Sequence, residues 1–326
     1  MTTQMRAALY DRFGPPDVLY EGTVPMPTTP ADGVLVKVAA ATVNGGELTV
    51  RSGELPRWFM RNPFPRQLGL DFVGEVAEVG SAVTGYAEGD VVWGLLDEKP
   101  DANGQSLRSL AEYLVVRPSQ MSRAPATLDP VQAATIPAGG LTALLALRRE
   151  TRLRAGEELL VRGAGGGVGS MVVQLGRAFG AEVTALGGAP SLDFVRQLGA
   201  VRAHDHRTTG PDELGRFDVV VDAVGTDLHR YRRLLRPGGR MVAVRFDTDH
   251  VVRSLVGIGT SAIHGGRRIR FFRGAPDHEL LAELARLADD GTIRPVVDTV
   301  YPLSRIADAH RHLERGGVRG KIVVTI

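Results

Sequence analysis

Cysteine is absent from this 326-residue sequence, and lysine nearly so: only Lys37, Lys99 and Lys321 occur among 39 basic residues. Without cysteine there are no disulfides, thiolate nucleophiles or cysteine-ligated zinc sites. Aromatic residues make up only 6% of the chain, so any cluster of them stands out. No apolar, uncharged run reaches the roughly 18 residues of a membrane-spanning helix. The start, MTTQMRAALYDRF, has no apolar stretch leading to a small-residue cleavage site. A soluble cytoplasmic protein, without a membrane partner, is expected. A net charge of +2 supplies no overall basic field, so nucleic acid is not an expected partner.

What is present is ordinary for a folded chain. Hydrophobic residues make up 43% and charged residues 23%, and the length suffices for two domains. Up to about residue 125 the segments VLVKVAAATV (34–43), DFVGEVAEVG (71–80) and EYLVVRP (112–118) are short, valine-rich and broken by Gly or Pro. They predict strands of an irregular β domain. DPVQAATIPAGGLTALLALR (129–148) predicts two helices separated by a turn, with Asp129 as N-cap and Pro130 at the first helical position. From residue 157 strands alternate with helices: ELLVR (158–162), SMVVQLGRAFG (170–180), EVTAL (182–186), SLDFVRQLG (191–199, Ser191 as cap), FDVVVDAVG (217–225), LHRYRRLLRPGG (228–239) and RMVAV (240–244). This alternation predicts βαβ units and a parallel sheet, an α/β fold. ELLAELARLADDG (279–291) predicts an amphipathic helix and KIVVTI (321–326) a closing strand.

GAGGGVGS (163–170) lies directly between the strand ELLVR and the following helix. A flexible linker would be polar and would join independent units. A Walker A loop would carry lysine near its end, and a nucleophile elbow would read G-x-S-x-G; neither pattern is here. What fits is a dinucleotide fingerprint, A-x-G-x-x-G, at Ala164, Gly166 and Gly169, with Gly167 and Val168 between them. Small residues let the backbone approach a pyrophosphate, and the helix N-terminus offers free N–H groups. An NAD site usually has a carboxylate at the end of the second strand. Here Gly187, Gly188 and Ala189 follow that strand, which favours NADP(H). Ser191, His206 and Arg207 are candidates for the 2′-phosphate, or are ordinary turn residues.

The segments GLDFVGEVAEVGSAV (69–83), GDVVWG (89–94), AEYLVV (111–116), IPAGGLTALLAL (136–147), VRGAGGGVG (161–169), DVVVDAVG (218–225), LRPGGRMV (235–242) and RGKIV (319–323) occur in this order. Together they resemble the zinc-free quinone oxidoreductase branch of the medium-chain dehydrogenase/reductase superfamily. The resemblance implies a GroES-like β domain plus a doubly wound, parallel-sheet Rossmann domain. Residues 1–124 would begin the catalytic domain, 125–265 would form the NADP-binding domain, and 266–326 would return to complete the first. Zinc-dependent relatives carry a cysteine and a His-Glu pair where this chain has Asn44, Leu70 and Asp71. His310 and His312 are two apart in a helical stretch and so point to different faces. A metal-free enzyme is expected.

The activity implied is hydride transfer from NADPH to a quinone or other conjugated carbonyl. The same resemblance assigns Asn44 and Thr142 to the nicotinamide side, and Ala223, Val224, Gly225, Val244 and Arg245 to the ribose and carboxamide. It also makes Lys321 a cofactor-side cation and implies a homodimer. Read from the residues alone, Asn44 could instead hold a turn and Thr142 could bond within its helix. Glu47 is a candidate proton donor, with an exposed, salt-bridging carboxylate as the competing reading. Trp58, Phe59 and Phe64 lie among prolines in PRWFMRNPFPR (56–66); with Trp93 they are candidates for a flat-substrate pocket, or they cap the β domain's own core. In GGRRIRFFRG (265–274), a strand would place Ile269 and Phe271 on one side and Arg268 and Arg270 on the other, as an edge used in dimer pairing. A biosynthetic enoyl or ketone reductase is the second enzymatic reading, and a non-catalytic NADPH-binding protein the reading of another class.

Overall fold

The computed structural model describes residues 3–54, 63–97, 108–245, 269–272 and 274–326. Contacts divide the chain into two compact units, Met1–Ala138 with Ala275–Ile326, and Gly139–Gly274. The sequence placed these crossings at 124/125 and 265/266. The first lies later because helix α2 (Pro130–Ala134) packs on strands β3 (Val34–Thr42) and β5 (Asp71–Val79) of the β unit. The second lies later because the strand Ile269–Phe271 still belongs to the parallel sheet.

In the first unit β1 (Gln4–Tyr10) pairs with β2 (Leu19–Pro25) and with β4 (Arg66–Gln67). A larger sheet joins β3 and β5 to β6 (Val91–Leu95), β8 (Met121–Arg123), β15 (Val297–Pro302) and β16 (Lys321–Thr325), while β7 (Tyr113–Val116) also pairs with β3. The two chain ends meet where β16 runs antiparallel to β3, with Val324 opposite Ala41. Alternating residues Val34, Val36 and Val38 enter a core with Phe72, Val76, Val92 and Leu114.

The second unit is a six-stranded sheet, all of whose pairings are parallel. Its strands are β9 (Glu158–Arg162), β10 (Glu182–Gly187), β11 (Arg202–Asp205), β12 (Phe217–Asp222), β13 (Leu235–Ala243) and β14 (Ile269–Phe271). Their spatial order is β11-β10-β9-β12-β13-β14. This is the doubly wound order 3-2-1-4-5-6, whose direction reverses between β9 and β12. Helix α4 (Gly167–Ala178) packs on β9 and β10, α5 (Leu192–Leu198) on β11 and α6 (Leu228–Arg232) on β12 and β13.

Three local readings are corrected. The helix expected over 228–239 is only α6, and Pro237-Gly238-Gly239 lies within β13. Register slips there, from Phe217↔Leu235 to Val219↔Arg240, so the strand absorbs the turn residues. Ser191 precedes α5 but makes no cap bond; its hydroxyl donates to the Gly188 carbonyl instead, at 2.8 Å. Arg270 does not face solvent alone: its guanidinium donates to the Glu150 carbonyl, while Phe271 is 40% exposed. Among the described residues no helix is long and apolar enough to cross a membrane.

Candidate active site

In the parallel-sheet unit the predicted cofactor residues gather at the carboxyl ends of the strands. β9 runs into Gly163, with φ +73°, and Gly166 precedes α4 with extended geometry (φ −82°, ψ 177°). The first turn of α4 leaves the N–H groups of Gly167, Val168 and Gly169 without intrahelical acceptors. The glycines differ in what they need. A Cβ at Gly169 would stand 2.1 Å from the Gly163 carbonyl oxygen and 2.7 Å from Ala164 Cα, so this glycine lets the helix close on its own loop. A Cβ at Gly166 would meet nothing nearer than the Gly163 oxygen at 3.6 Å. The protein leaves that flank open, as a phosphate approaching the backbone requires.

β10 ends in Gly187, whose Cβ position lies 2.7 Å from Ser191 Oγ. Nδ1 of His206 lies 2.9 Å from the Gly187 carbonyl, which can only accept, so this nitrogen carries the hydrogen. Gly187 pairs across the sheet with Asp205, the carboxylate the sequence did not flag here. Asp205 Oδ1 accepts the Arg207 backbone N–H at 3.1 Å and so serves its own turn. Val224 and Gly225 follow β12, and Val244 N–H bonds the Asp222 carbonyl at 2.9 Å. Ala223 and Val224 flank the glycine loop: their side chains lie 3.5 and 3.2 Å from a Cβ placed on Gly163. Arg245 is exposed. Thr142 is half-buried in α3 (Pro137–Leu144), its hydroxyl 3.3 Å from the Cβ position of Gly274.

In the β unit a second constellation surrounds Asn44, the residue before helix α1 (Gly45–Ser52). Asn44 does not cap that helix with its side chain. Its Nδ2 donates to the Thr42 carbonyl (3.2 Å) and to Glu47 Oε1 (3.1 Å), and Oδ1 accepts from Lys321 Nζ at 2.6 Å. The ammonium fixes which end of the amide faces it. Lys321 Nζ also lies 3.6 Å from Asp71 Oδ2. Asp71 is fully buried and receives the Thr42 N–H (2.9 Å) and hydroxyl (2.6 Å). Gly69, at φ +107°, lets the chain entering β5 pass Ser109 and Leu110, whose Oγ and N lie 2.4 and 2.5 Å from its Cβ position. The approach delivers Asp71 to this cluster.

Glu47 is not the exposed carboxylate expected from sequence: it is 5% exposed. Burial and then the Asp71 charge push its carboxyl up to about 8, against the Asn44 hydrogen bond and the Lys321 and Arg108 charges. Its Oε2 has no hydrogen-bond partner and lies 3.9 Å from His310 Nε2. His310 is itself fully buried; burial and then the Arg51 charge hold its imidazole down at about 3. At neutral pH the two are therefore a carboxylic acid and a neutral imidazole. Oε1 accepts from Asn44, and Oε2 faces His310. Arg51, 1% exposed, donates to Glu314 on the His310 helix Ile306–Arg315.

Two candidate pocket residues are otherwise employed. Trp93 is fully buried in β6 and donates its indole N–H to Ser122 Oγ at 2.8 Å, so it belongs to the sheet core rather than to a substrate pocket. Phe64 packs edge-on against Tyr10 and Phe13, at centroid distances of 5.8 and 5.1 Å, with the Arg66 guanidinium 4.6 Å above it. It caps the β unit, the second of the two readings. Trp58 and Phe59 lie outside the described residues. Sequence reasoning missed His310, Arg51, Arg108 and the Asp71–Thr42 pair as neighbours of Asn44. No local pattern links them; the pairing of β3 with β5 and with β16, and the packing of helix Ile306–Arg315 on α1, do.

Residues 30–126 match the family model described as alcohol dehydrogenase GroES-like domain, and residues 198–324 that described as zinc-binding dehydrogenase. The chain is 34% identical over 98% of its length, and 79% of the relative's, to a chloroplastic NADPH-dependent alkenal/one oxidoreductase of Arabidopsis thaliana. It belongs to the medium-chain dehydrogenase/reductase superfamily, in the quinone oxidoreductase branch. The chain is thus an oxidoreductase. A 2-methylene-furan-3-one reductase of Solanum lycopersicum is 32% identical over 99% of this chain and 79% of that protein. The solved quinone oxidoreductase of Coxiella burnetii superposes with a TM-score of 0.88 at 30% identity, covering 99% of this chain and all of that one.

Proposed function

We propose that this oxidoreductase uses NADPH, without zinc, to reduce conjugated carbonyls: alkenals, enones and quinones. The observation that carries the cofactor reading is the open flank at Gly166, set against the first turn of α4. The residues fit a dinucleotide. Backbone N–H groups from Gly167 to Gly169 would hold the pyrophosphate. β10 ends in Gly187, followed by Gly188, so its own end carries no carboxylate; Asp205, opposite Gly187 on the neighbouring strand, is taken up by its own turn, and His206, Ser191 and Arg207 stand there as candidate partners of a 2′-phosphate. Ala223–Gly225, Val244 and Arg245 would line the ribose and carboxamide side. The substrate reading rests on the activities carried in the names of the Arabidopsis and tomato relatives.

Bound NADPH would supply the hydride. Adding it to an electron-poor carbon moves an electron pair toward the carbonyl oxygen, and one proton completes the reduction. Water is the proton source we favour, because the Glu47 carboxyl is buried between Asn44 and His310. In this reading Glu47 and Lys321 act on Asn44, gripping its amide from both ends and leaving one acceptor lone pair on Oδ1. Lys321, committed to Asn44 and Asp71, braces the site rather than serving as a loose cation.

The test is product identity. With NADPH and a 2-alkenal, the expected product is the saturated aldehyde; with a quinone it is the hydroquinone. Formation of an allylic alcohol, or no NADPH oxidation with any enone or quinone, would overturn the substrate assignment.

A further inference from the structure

We propose that Arg162 and Asp222 are positioning residues that lock the loop Ala223–Thr226 as one wall of the cofactor cleft. Arg162 ends β9 and Asp222 ends β12, and the two are register partners across the point where the sheet order reverses. In sheets of this order ligands bind outside the strand ends at that reversal. Both side chains are buried, Arg162 at 5% and Asp222 at 0% exposure, and their charges pair directly. Their other bonds go to the next turn of chain.

Asp222 Oδ1 accepts the N–H groups of Val224 (2.9 Å) and Gly225 (2.7 Å), while Oδ2 takes the guanidinium. The guanidinium also donates to the Thr226 carbonyl at 2.7 Å and lies 3.6 Å over the Tyr231 ring. The Arg162 carbonyl accepts the Ala223 N–H at 3.1 Å. Each residue from Ala223 to Thr226 thus has a backbone group tied to this pair, and Gly225 keeps its φ of +93° without support from any side chain of its own. A loop so tied presents Ala223 and Val224 to the glycine turn in one conformation. Without the pair it would sample several, and the cofactor would have to select the competent one, which weakens apparent affinity by the fraction lost.

The inference rests on the NADPH reading above. Removing one partner alone would strand a buried charge and unfold the unit, so the informative variant is the neutral pair Arg162→Met with Asp222→Asn. Asparagine Oδ1 can still accept loop N–H groups, and methionine still covers Tyr231, but the tie to Thr226 is gone. Arg162→Lys is the conservative companion, since it keeps the buried charge pair. Three quantities are compared: amide exchange at residues 223–226 in the cofactor-free protein, NADPH affinity by fluorescence titration, and kcat at saturating NADPH. The double variant is expected to exchange faster there and to bind NADPH about tenfold more weakly, with kcat within twofold of the parent. Arg162→Lys should recover most of the affinity. A general loss of stability would instead raise exchange throughout the sheet. A folded double variant with parental exchange and affinity would overturn the clamp. A parent that binds no NADPH would overturn the cofactor reading itself, a separate outcome.

Discussion

Replacing Glu47 by glutamine should make the protein progressively more stable than its parent as pH rises from 4.5 to 8. In the unfolded chain this carboxyl ionises at its ordinary value of 4.5, whereas in the folded protein burial and Asp71 delay ionisation to about 8. A raised folded value means that the stabilising contribution is complete below 4.5 and is lost as pH climbs to 8. Across that window the native state holds one proton more than the unfolded state. Stability then falls by about 1.4 kcal/mol per pH unit from this group. His310 has the opposite sense: its folded value of about 3 lies below the ordinary 6.5, so its contribution is present above 6.5 and lost as pH falls toward 3. Between 4.5 and 6.5 the two slopes cancel in the parent, and above 6.5 only the Glu47 slope is left. Glutamine preserves the acceptor for Asn44 and removes the titration. The variant-minus-parent difference, from which His310 cancels, should rise by about 2 kcal/mol between pH 6.5 and 8. Urea unfolding at pH 5, 6.5, 7.5 and 8 measures it. A difference that stays constant over this range would show that Glu47 is ionised in the folded protein, and the description of the buried acid would be wrong.

Cofactor choice should respond to Gly188 more cleanly than to Gly187. A Cβ at Gly188 meets nothing nearer than 3.7 Å, whereas one at Gly187 meets Ser191 Oγ at 2.7 Å. Gly188→Asp should shift the NADPH/NADH affinity ratio toward NADH, measured by fluorescence titration; an unchanged ratio would remove the 2′-phosphate from this end of β10. Gly169→Ala should destabilise by roughly 1–3 kcal/mol in urea unfolding, because its Cβ collides with backbone that cannot swing aside. Dialysis against a chelator should leave activity and melting temperature unchanged, and activity lost to chelation and restored by zinc would refute the metal-free assignment.

The parallel-sheet unit was legible because each of its signals is local. Strand and helix alternate at short range, and the glycine fingerprint sits at a strand–helix junction where few other functions need it. Its failures were local too. Leu228, Tyr231 and Leu234 repeat at helical spacing and are all buried, but the chain leaves the helix after Arg232 and enters β13 at Leu235. The β unit's polar cluster could not be read in the same way. Glu47 meets Asp71 through the pairing of β3 with β5, Lys321 through the closure of β16 on β3, and His310 through the packing of helix Ile306–Arg315 on α1, and in sequence it is one acid among many. Trp93 looked like a pocket residue for want of a period to place it; in β6 its side chain turns inward to Ser122.

The glycine loop carries the whole functional account, and Gly166→Val tests it most directly. Its backbone, at φ −82° and ψ 177°, is comfortable for a branched residue, and a Cβ there meets no protein atom within 3.5 Å. The side chain would fill only the space assigned to phosphate. NADPH titration by fluorescence, with circular dichroism on the same samples, should show a variant as folded as the parent that no longer binds the cofactor. A folded Gly166→Val protein that binds NADPH as tightly as the parent would mean that GAGGGVGS is a turn and not a phosphate cradle.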